Sequence, residues 1–494
     1  MLAVEAGGWL ARLGLGDYRL GELILISEWL IRLTMLGIVP LRRQPAAATA
    51  WLLTIFLFPW LGLFVYLLIG SPRMPRWRRG RLKRFVSEIA PVGEQVRVVL
   101  SQRAASSDQD TIPAEFRPVA LLSQRLGLLK PYGGNACRLV GDYDESLAGM
   151  ARDIAQATSS VHCLFYIFAV DEATEPVLAA IEAAAARGCE CRLIYDAVGS
   201  SDTSADLLKR FANTRVELRA ALPVRLFSRR STRVDLRNHR KILVVDGRVA
   251  WTGSQNLIDK QFKAGLVYEE LVARVEGPLA VQLQFVFACD WWMEADELLS
   301  DLKYYPTPSN SGTCVGQVLP SGPDFDAPIY QRVLVQAIYE AKSRITIVTP
   351  YFVPEAGLLQ AIETATERGV IVRIIVSRTK DQYLVGFAQD SYYEELLEVG
   401  VEIYRYRPRF LHAKHATIDD AICVVGSSNV DIRSFQLNSE VSLLLYTADV
   451  VAQVAARQAE YVAHSERLTR EEWSQRPRRQ RLLENLARIW SPLL

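Results

Sequence analysis

The chain has 494 residues, long enough for about two or three ordinary domains. Its 57 Lys and Arg residues nearly balance 55 Asp and Glu residues, so the net charge indicates no class of partner. The 7 cysteines lack C-x-x-C spacing, which excludes a disulfide framework or a cysteine zinc site and predicts buried thiols in a reducing compartment. With only 5 histidines, the composition favours chemistry without a metal, and no cofactor is expected.

The N-terminal region contains two apolar stretches. Residues 22–41, "ELILISEWLIRLTMLGIVPL", form either a first membrane span or an interfacial helix, and Glu28 can pair with Arg32 four residues later. Residues 44–72 carry no charge and are long enough to cross the hydrocarbon layer. Pro59 and Gly62 lie within this second stretch and predict a kink or a re-entrant turn as the alternative to a straight span.

A basic cluster, "RMPRWRRGRLKR", follows at residues 73–84. It has 7 positive charges and no negative one, so the positive-inside rule places it in the cytoplasm. The arginines either attract anionic headgroups or only set the topology. In both cases the large C-terminal portion is expected on the cytoplasmic side of a membrane.

The remainder of the chain repeats itself. "VHCLFYIFAVDEATEPVLAAIEAAAARGCECRLIYD", from Val161, and "ITIVTPYFVPEAGLLQAIETATERGVIVRIIVS", from Ile345, both read strand, helix, strand. Gly188 and Gly369 end the helices, and the apolar strands predict a parallel sheet covered on both faces. The predicted divisions are a membrane region at 1–84, a linker at 85–135, a first α/β domain at 136–305 and a second at 306–494.

Each copy then reaches a motif of the form H-x-K-x4-D, followed by G-S-x-N. The first motif contains His239, Lys241, Asp246, Ser254 and Asn256, and the second contains His412, Lys414, Asp419, Ser427 and Asn429. Alternate residues of a strand share a face, so each His and Lys point the same way. A hairpin about the Asp turn brings the Ser and Asn back beside them. Each Asp is therefore either a site member or only a turn former.

These residue types suit phosphoryl chemistry. An imidazole can attack phosphorus or donate a proton, while an ammonium and an amide can hold phosphoryl oxygens. One copy supplies half a site. Two facing copies supply one histidine to form a covalent phosphohistidine and another to protonate the leaving alcohol, without a metal.

The paired motifs resemble those of the phospholipase D superfamily. The blocks "FYIF", "LPSGPD", "TPYFVPE" and "SSNVDIRSFQLNSEVSLL" are similar to those of bacterial cardiolipin synthases. The resemblance implies two α/β domains related by pseudo-twofold symmetry, with the motifs at their interface, and a bacterial inner-membrane location. It also implies that a glutamate after each motif orients a histidine: Glu440 in the second half, and Glu270 or its neighbour Glu269 in the first.

The function that this resemblance implies is transfer of a phosphatidyl group between two phosphatidylglycerol molecules, with release of glycerol and formation of cardiolipin. Either His239 or His412 would carry the intermediate, and the resemblance favours His239. A hydrolase of phospholipid or nucleic acid and an inactive membrane scaffold are the alternatives. Basic stretches before both motifs suit any phosphodiester, but the membrane region favours anionic lipid over nucleic acid. The sequence leaves the oligomeric state open.

The C-terminal stretch "RPRRQRLLENLARIWSPLL" is basic and then amphipathic. Its residues Leu482, Leu486, Ile489 and Leu493 fall on one helical face. Two interpretations remain: the face rests on the bilayer, or it packs on its own domain.

Overall fold

A computed structural model describes most of the chain. The described residues are 17–43, 45–70, 74–103, 111–224 and 232–490. The chain divides into an N-terminal unit, which ends at Pro72 and includes residues 489–494, and a large unit from Arg73 to Arg488.

The N-terminal unit begins with a long apolar helix. Its helices are α1 (Asp17–Arg42), α2 (Pro45–Leu57) and α3 (Pro59–Ile69). Within α1, the segment Leu20–Arg42 has a mean hydropathy of 1.7 and is long and apolar enough to cross a membrane. The predicted pair is present, with Arg32 Nη2 3.2 Å from Glu28 Oε2. Pairing four residues apart reduces the cost of placing these charges in an apolar helix.

The second apolar stretch is not one spanning helix. It breaks before Pro59, and α3 folds back on α2, so that the Trp51 and Tyr66 rings lie 5.2 Å apart, edge to face. Gly62 permits the close approach, because a Cβ there would lie 2.7 Å from the Cα of Ile55. Helices of 13 and 11 residues are each shorter than the roughly 20 residues that a span needs. The stretch is therefore a pair of short antiparallel helices with a break before Pro59, and not one straight helix.

Helices make up much of the chain from Arg73 onward. They are α4 (Arg76–Arg103), α5 (Arg117–Gly127), α6 (Tyr143–Ala155), α7 (Glu175–Ala186), α8 (Ser204–Phe211), α9 (Pro278–Ala295), α10 (Ile329–Glu340), α11 (Ala356–Glu367), α12 (Tyr383–Asp390), α13 (Tyr393–Glu398), α14 (Ile432–Gln436), α15 (Ala448–Ala463), α16 (Arg470–Ser474) and α17 (Arg478–Trp490), with short 3-10 turns at Ala114–Phe116 and Leu302–Tyr304. The stretch expected as a linker thus contains part of α4 and all of α5.

The strands form one large mixed sheet and a small ribbon. They are β1 (Tyr132–Val140), β2 (Ser160–Phe165), β3 (Glu190–Asp196), β4 (Glu217–Ala221), β5 (Arg237–Asn238), β6 (Ile242–Val245), β7 (Val249–Gly253), β8 (Tyr268–Glu269), β9 (Val272–Glu276), β10 (Cys314–Ser321), β11 (Arg344–Val348), β12 (Ile371–Ser377), β13 (Glu402–Tyr406), β14 (Phe410–Leu411), β15 (His415–Ile418), β16 (Ile422–Gly426), β17 (Asn438–Leu445) and β18 (Ser465–Leu468). Strands β8 and β14 form the ribbon.

The strand order shows the internal repeat. From the centre outward, the first half runs β1-β9-β7-β6-β2-β3-β4, and the second runs β10-β17-β16-β15-β11-β12-β13-β18. Strands β1 and β10 pair antiparallel and join the halves. In each half the predicted strand–helix–strand unit supplies parallel neighbours, β2 with β3 and β11 with β12. The expected fold of two related α/β domains is confirmed.

The hydrophobic core occupies both faces of the sheet. In β2, Leu164 belongs to the core cluster that contains α9, whereas Cys163 and Phe165 belong to the cluster that contains α6 and α7. This alternation explains why the strands are apolar on both faces. The helix α4 packs on α9 through Phe85, and Arg78 of the basic cluster pairs with Glu294 at 2.7 Å. Part of that cluster therefore serves packing within the large unit.

Candidate active site

Two short strands place the motif histidines. Strand β5, which immediately precedes His239, pairs in parallel with the start of β17 in the other half. Strand β14, which immediately precedes His412, pairs in parallel with β8. The amide of His239 donates to the Ser439 carbonyl at 2.8 Å, and the amide of His412 donates to the Glu269 carbonyl at 2.8 Å. Each histidine is thereby fixed beside a strand of the opposite half.

The crossed pairing brings a glutamate to each histidine. His239 Nδ1 lies 3.0 Å from both carboxylate oxygens of Glu440. His412 Nδ1 lies 2.7 Å from Oε1 of Glu270. Glu269 instead pairs with Arg409 at 3.1 Å and with Arg457 at 2.5 Å. Of the two candidates in the first half, Glu270 is therefore the residue that orients a histidine. A carboxylate at Nδ1 leaves Nε2 available for chemistry.

The two motif lysines are buried beside their histidines. Lys241 is 1% exposed and donates to the His239 carbonyl at 2.8 Å, while Lys414 is 2% exposed and donates to the His412 carbonyl at 2.5 Å. The Lys241 ammonium also lies 5.4 Å from the centre of the Tyr166 ring, which contacts His239. One fixed hydrogen bond leaves the other ammonium protons of each lysine available to a ligand.

Burial lowers the pKa values of the basic residues of the site. It lowers the pKa of Lys241 to about 7 and the pKa of Lys414 to about 8. Burial, reinforced by Lys241 and Lys414, also holds the pKa of His239 well below its usual value. Because Lys414 acts on both His239 and Lys241, the two motifs share one electrostatic environment. The structure therefore brings the two predicted half-sites together.

The two histidine–glutamate pairs are electrostatically unequal. Burial raises the pKa of Glu440 to about 7 despite the opposing effect of Lys241. Burial also acts to raise the pKa of Glu270, but His412 and Lys414 outweigh it and leave that pKa below its usual value. The His412 pKa is lowered by burial, which Glu270 partly opposes. Glu270 thus favours a charged His412 more strongly than Glu440 favours a charged His239.

The serine and asparagine residues return to the site as the hairpins predict. Ser427 Oγ donates to Glu440 at 2.5 Å, and Ser254 Oγ donates to the Leu271 carbonyl at 3.1 Å, next to Glu270. Asn256 Oδ1 accepts a hydrogen bond from the Ile167 amide at 3.2 Å. Asn429 Oδ1 is buried and has no hydrogen-bond partner among the described residues. An unpartnered buried acceptor of this kind can accept a hydrogen bond from a hydroxyl group or a water molecule.

The motif aspartates form their hydrogen bonds with backbone amides at the turns of the two hairpins and not with the histidines, which is the turn-forming alternative for both residues. Asp246 lies at the far end of β6 and accepts hydrogen bonds at 2.8 Å from the amides of Thr158, Ser159 and Ser160. Asp419 likewise accepts from the amides at positions 342–344. Both residues have positive φ, 53° and 52°, as a tight turn requires. They anchor the entry to the neighbouring strand, β2 or β11.

Two arginines in and just before the first motif, Arg237 and Arg240, form buried ion pairs. Arg237 pairs with buried Asp196 at 3.0 Å, and Arg240 pairs with buried Asp290 at 2.5 Å. Arg240 Nε also donates to the Glu440 carbonyl at 3.0 Å. These two arginines are therefore not free to bind a phosphodiester. Arg233 pairs with Asp235, while Arg225, Arg229 and Arg230 lie outside the described residues.

Comparison with known proteins identifies the family of this chain. The profile of a family described as "Cardiolipin synthase, PLD-like domain" matches residues 150–291 and 334–461. "Cardiolipin synthase A" of Pectobacterium carotovorum subsp. carotovorum (strain PC1) is 34% identical over 96% of this chain and 98% of its own length. The protein of that name from Serratia proteamaculans (strain 568) is 35% identical over the same shares. The chain belongs to the cardiolipin synthase family.

Two further comparisons concern the N-terminal region of this cardiolipin synthase family member and its overall fold. Residues 29–71 match the profile "Phospholipase_D-nuclease N-terminal", and the apolar α1 is consistent with membrane association. The fold resembles a phosphatidylserine synthase of Haemophilus influenzae Rd KW20, with a TM-score of 0.58 at 16% identity over 76% of this chain and 100% of that one. Both motifs and both orienting glutamates lie inside the two segments that the cardiolipin synthase profile matches.

The structure adds supporting residues that lie outside the two sequence motifs. Ser434 donates to Glu440 at 3.0 Å, which supplements Ser427. Asp196 and Asp290 support the segment that carries His239, through Arg237 and Arg240. No sequence spacing pointed to these residues, because 41 and 50 positions separate each aspartate from its arginine.

Proposed function

We propose that the protein is a cardiolipin-forming phosphatidyltransferase that uses two phosphatidylglycerol molecules and releases glycerol. The observation that supports this proposal is the pair of buried histidine–glutamate units, His239–Glu440 and His412–Glu270, in one site with two buried lysines. The relatives named cardiolipin synthase A, which match nearly the full length, support the choice of substrate.

In the first step, Nε2 of His239 attacks the phosphorus of one phosphatidylglycerol. A phosphorus–nitrogen bond forms as the bond between phosphorus and the glycerol oxygen breaks. His412 donates its proton to that oxygen, and glycerol leaves. The lowered pKa of His239 keeps its imidazole neutral and nucleophilic, whereas at His412 ionised Glu270 opposes the lowering of the pKa by burial and so favours the protonated form. This electrostatic difference supports His239 as the nucleophile.

In the second step, a free hydroxyl of another phosphatidylglycerol attacks the phosphatidyl-histidine. His412 takes the hydroxyl proton, the phosphorus–nitrogen bond breaks, and cardiolipin is released with His239 neutral again. The Lys241 and Lys414 ammonium groups and the Asn256 and Asn429 amides stabilise the charge on the phosphoryl oxygens. The motif aspartates act outside these steps, as anchors of the strands.

The proposed setting is the inner membrane of a bacterium, with the large unit on the cytoplasmic side. The apolar segment Leu20–Arg42 supplies the membrane attachment, and the basic cluster at 73–84 supplies the positive-inside signal. Phospholipid is then the phosphodiester within reach of the site, which makes nucleic acid the less favoured substrate.

The test is mass spectrometry of the lipids formed by purified protein in detergent micelles containing phosphatidylglycerol as the only phospholipid. We expect cardiolipin and glycerol from the wild type, with EDTA having no effect, and loss of activity in both His239→Ala and His412→Ala. A phosphatidyl adduct on the peptide that contains His239 would identify the nucleophile. Phosphatidic acid as the main product would instead establish a hydrolase. Full activity in either histidine variant would overturn the two-histidine mechanism.

A further inference from the structure

The C-terminal helix α17 presents its leucines to the outside of the large unit. Leu482, Leu483 and Leu486 are 60%, 49% and 46% exposed, whereas Glu484 is fully buried and Ala487 is 4% exposed. An amphipathic helix that served only packing would bury its leucines and expose its glutamate. Of the predicted face, Leu482, Leu486 and Ile489 are exposed, and Leu493 lies outside the described residues. The described part of the face therefore does not pack on its own domain.

Buried polar contacts fix α17 in this orientation. Glu484 accepts hydrogen bonds from Arg476 at 2.8 Å and from Gln480 at 2.9 Å. Arg476 also pairs with Glu394 at 2.7 Å and lies over the Trp473 ring at 4.8 Å. Rotation of the helix to bury its leucines would expose this network and leave Arg476 without Glu484. The outward leucines are thus part of the folded arrangement.

The exposed charged residues that α17 itself supplies beside the leucines are positive. Arg478 and Arg479 are exposed and form no ion pair within the described residues. The only acidic residue of α17 is Glu484, which is buried and neutralised by Arg476. The outer surface of the helix therefore combines apolar side chains with unpaired arginines. Interfacial helices use this combination to bind anionic bilayers, with leucines among the acyl chains and arginines at the headgroups.

We infer that α17 is an interfacial helix that docks the large unit on an anionic lipid surface through Leu482, Leu483 and Leu486. This contact is separate from the attachment by α1 and does not depend on the proposed reaction, since none of its residues belongs to the site. It requires both features of the helix: the apolar face for insertion and Arg478 and Arg479 for selection of negative charge.

The test uses full-length protein in phosphatidylcholine nanodiscs with or without phosphatidylserine, an anionic lipid that is not the proposed substrate. An environment-sensitive fluorophore is attached at Leu482→Cys. The matched control is Leu208→Cys, because Leu208 on α8 is also an exposed leucine at 53%. With phosphatidylserine, we expect the fluorophore emission at position 482 to shift to shorter wavelength and its iodide quenching to fall about twofold, with no change at position 208. The added change Arg478→Glu/Arg479→Glu should abolish both effects.

Three outcomes would overturn the inference. In the first, phosphatidylserine changes neither emission nor quenching at position 482. In the second, the control at position 208 changes as much as position 482. In the third, position 482 is shielded from iodide in detergent, and the shielding increases with protein concentration. The last result would identify a second copy of the chain as the occupant. Cardiolipin synthesis by the same labelled variants in micelles containing phosphatidylglycerol separates these outcomes from failure of the proposed function.

Discussion

Glu440 forms a hydrogen bond with His239 although 201 residues separate them along the chain. Glu270 and His412, separated by 142 residues, repeat the relationship in the opposite direction. Each half therefore orients the histidine of the other half. This exchange makes the site a product of both copies, because neither copy alone provides a histidine with its carboxylate.

The first prediction compares neighbouring glutamates. Glu270→Gln should lower kcat about 100-fold or more, because the amide no longer stabilises a protonated His412. Glu269→Gln is the matched control, since Glu269 pairs with Arg409 and Arg457 instead. Its kcat should remain within about threefold of the wild type. Rates of cardiolipin formation at saturating phosphatidylglycerol provide the measurement, and equal losses in both variants would contradict the assignment of Glu270.

The second prediction concerns pH. The pKa values of about 7 for Lys241 and about 8 for Lys414 mean that both ammonium charges are lost as pH rises through this range. Because the charged form holds the phosphoryl oxygens, kcat/KM should begin to fall above about pH 7, where Lys241 loses its charge, and fall further above about pH 8, where Lys414 does. Lys241→Arg keeps its charge and should move the decline to higher pH. A decline at the same pH in this variant would assign it to another group.

The third prediction is that stability rises with pH over the range in which kcat/KM falls. A lysine whose folded pKa is below its usual 10.5 binds fewer protons in the native state than in the unfolded chain between those two values. The unfolding free energy contributed by Lys241 and Lys414 should therefore increase from about pH 7 to pH 10. Thermal unfolding of the solubilised protein measures this slope. Lys241→Met should reduce it, and an unchanged slope would show that Lys241 is not the source.

The fourth prediction separates the motif aspartates from the chemistry. Asp246→Ala removes the acceptor for three backbone amides and should cost about 2–3 kcal/mol of unfolding free energy. Turnover per folded molecule should stay within about threefold of the wild type. Denaturant unfolding together with active-site titration gives both quantities. A loss of turnover as large as that of His239→Ala, with stability unchanged, would show that Asp246 takes part in the reaction.

The fifth prediction tests whether the hydrogen bond from Arg240 to the Glu440 carbonyl helps to position Glu440. Arg240→Met leaves Asp290 buried without its partner and should cost about 3–5 kcal/mol. Arg240→Met/Asp290→Leu should recover most of this stability, because no unpaired charge remains. Its kcat should still be about tenfold low, since the Glu440 carbonyl has lost the Arg240 donor. Full recovery of kcat in the double variant would mean that the pair serves stability alone.

Local sequence patterns predicted much of the fold. Strand periodicity, the helix-ending Gly188 and Gly369 and the spacing of the two motifs depend on neighbours within about 20 residues, and the strand–helix–strand units formed as predicted. The second apolar stretch illustrates the limit. Its composition satisfied a membrane span, but the fold back at Pro59 depends on contacts between Trp51 and Tyr66 that composition does not encode.

The sequence by itself determined that two equivalent half-sites exist and which residue types they supply, because equal spacing in two copies is visible without coordinates. Only the tertiary structure decided which glutamate serves which histidine and that the motif aspartates anchor strands. It also decided that Arg237 and Arg240 are buried with Asp196 and Asp290. The physical reason is that these pairings run between strands far apart in the chain, and burial then sets the charges that a sequence pattern leaves open.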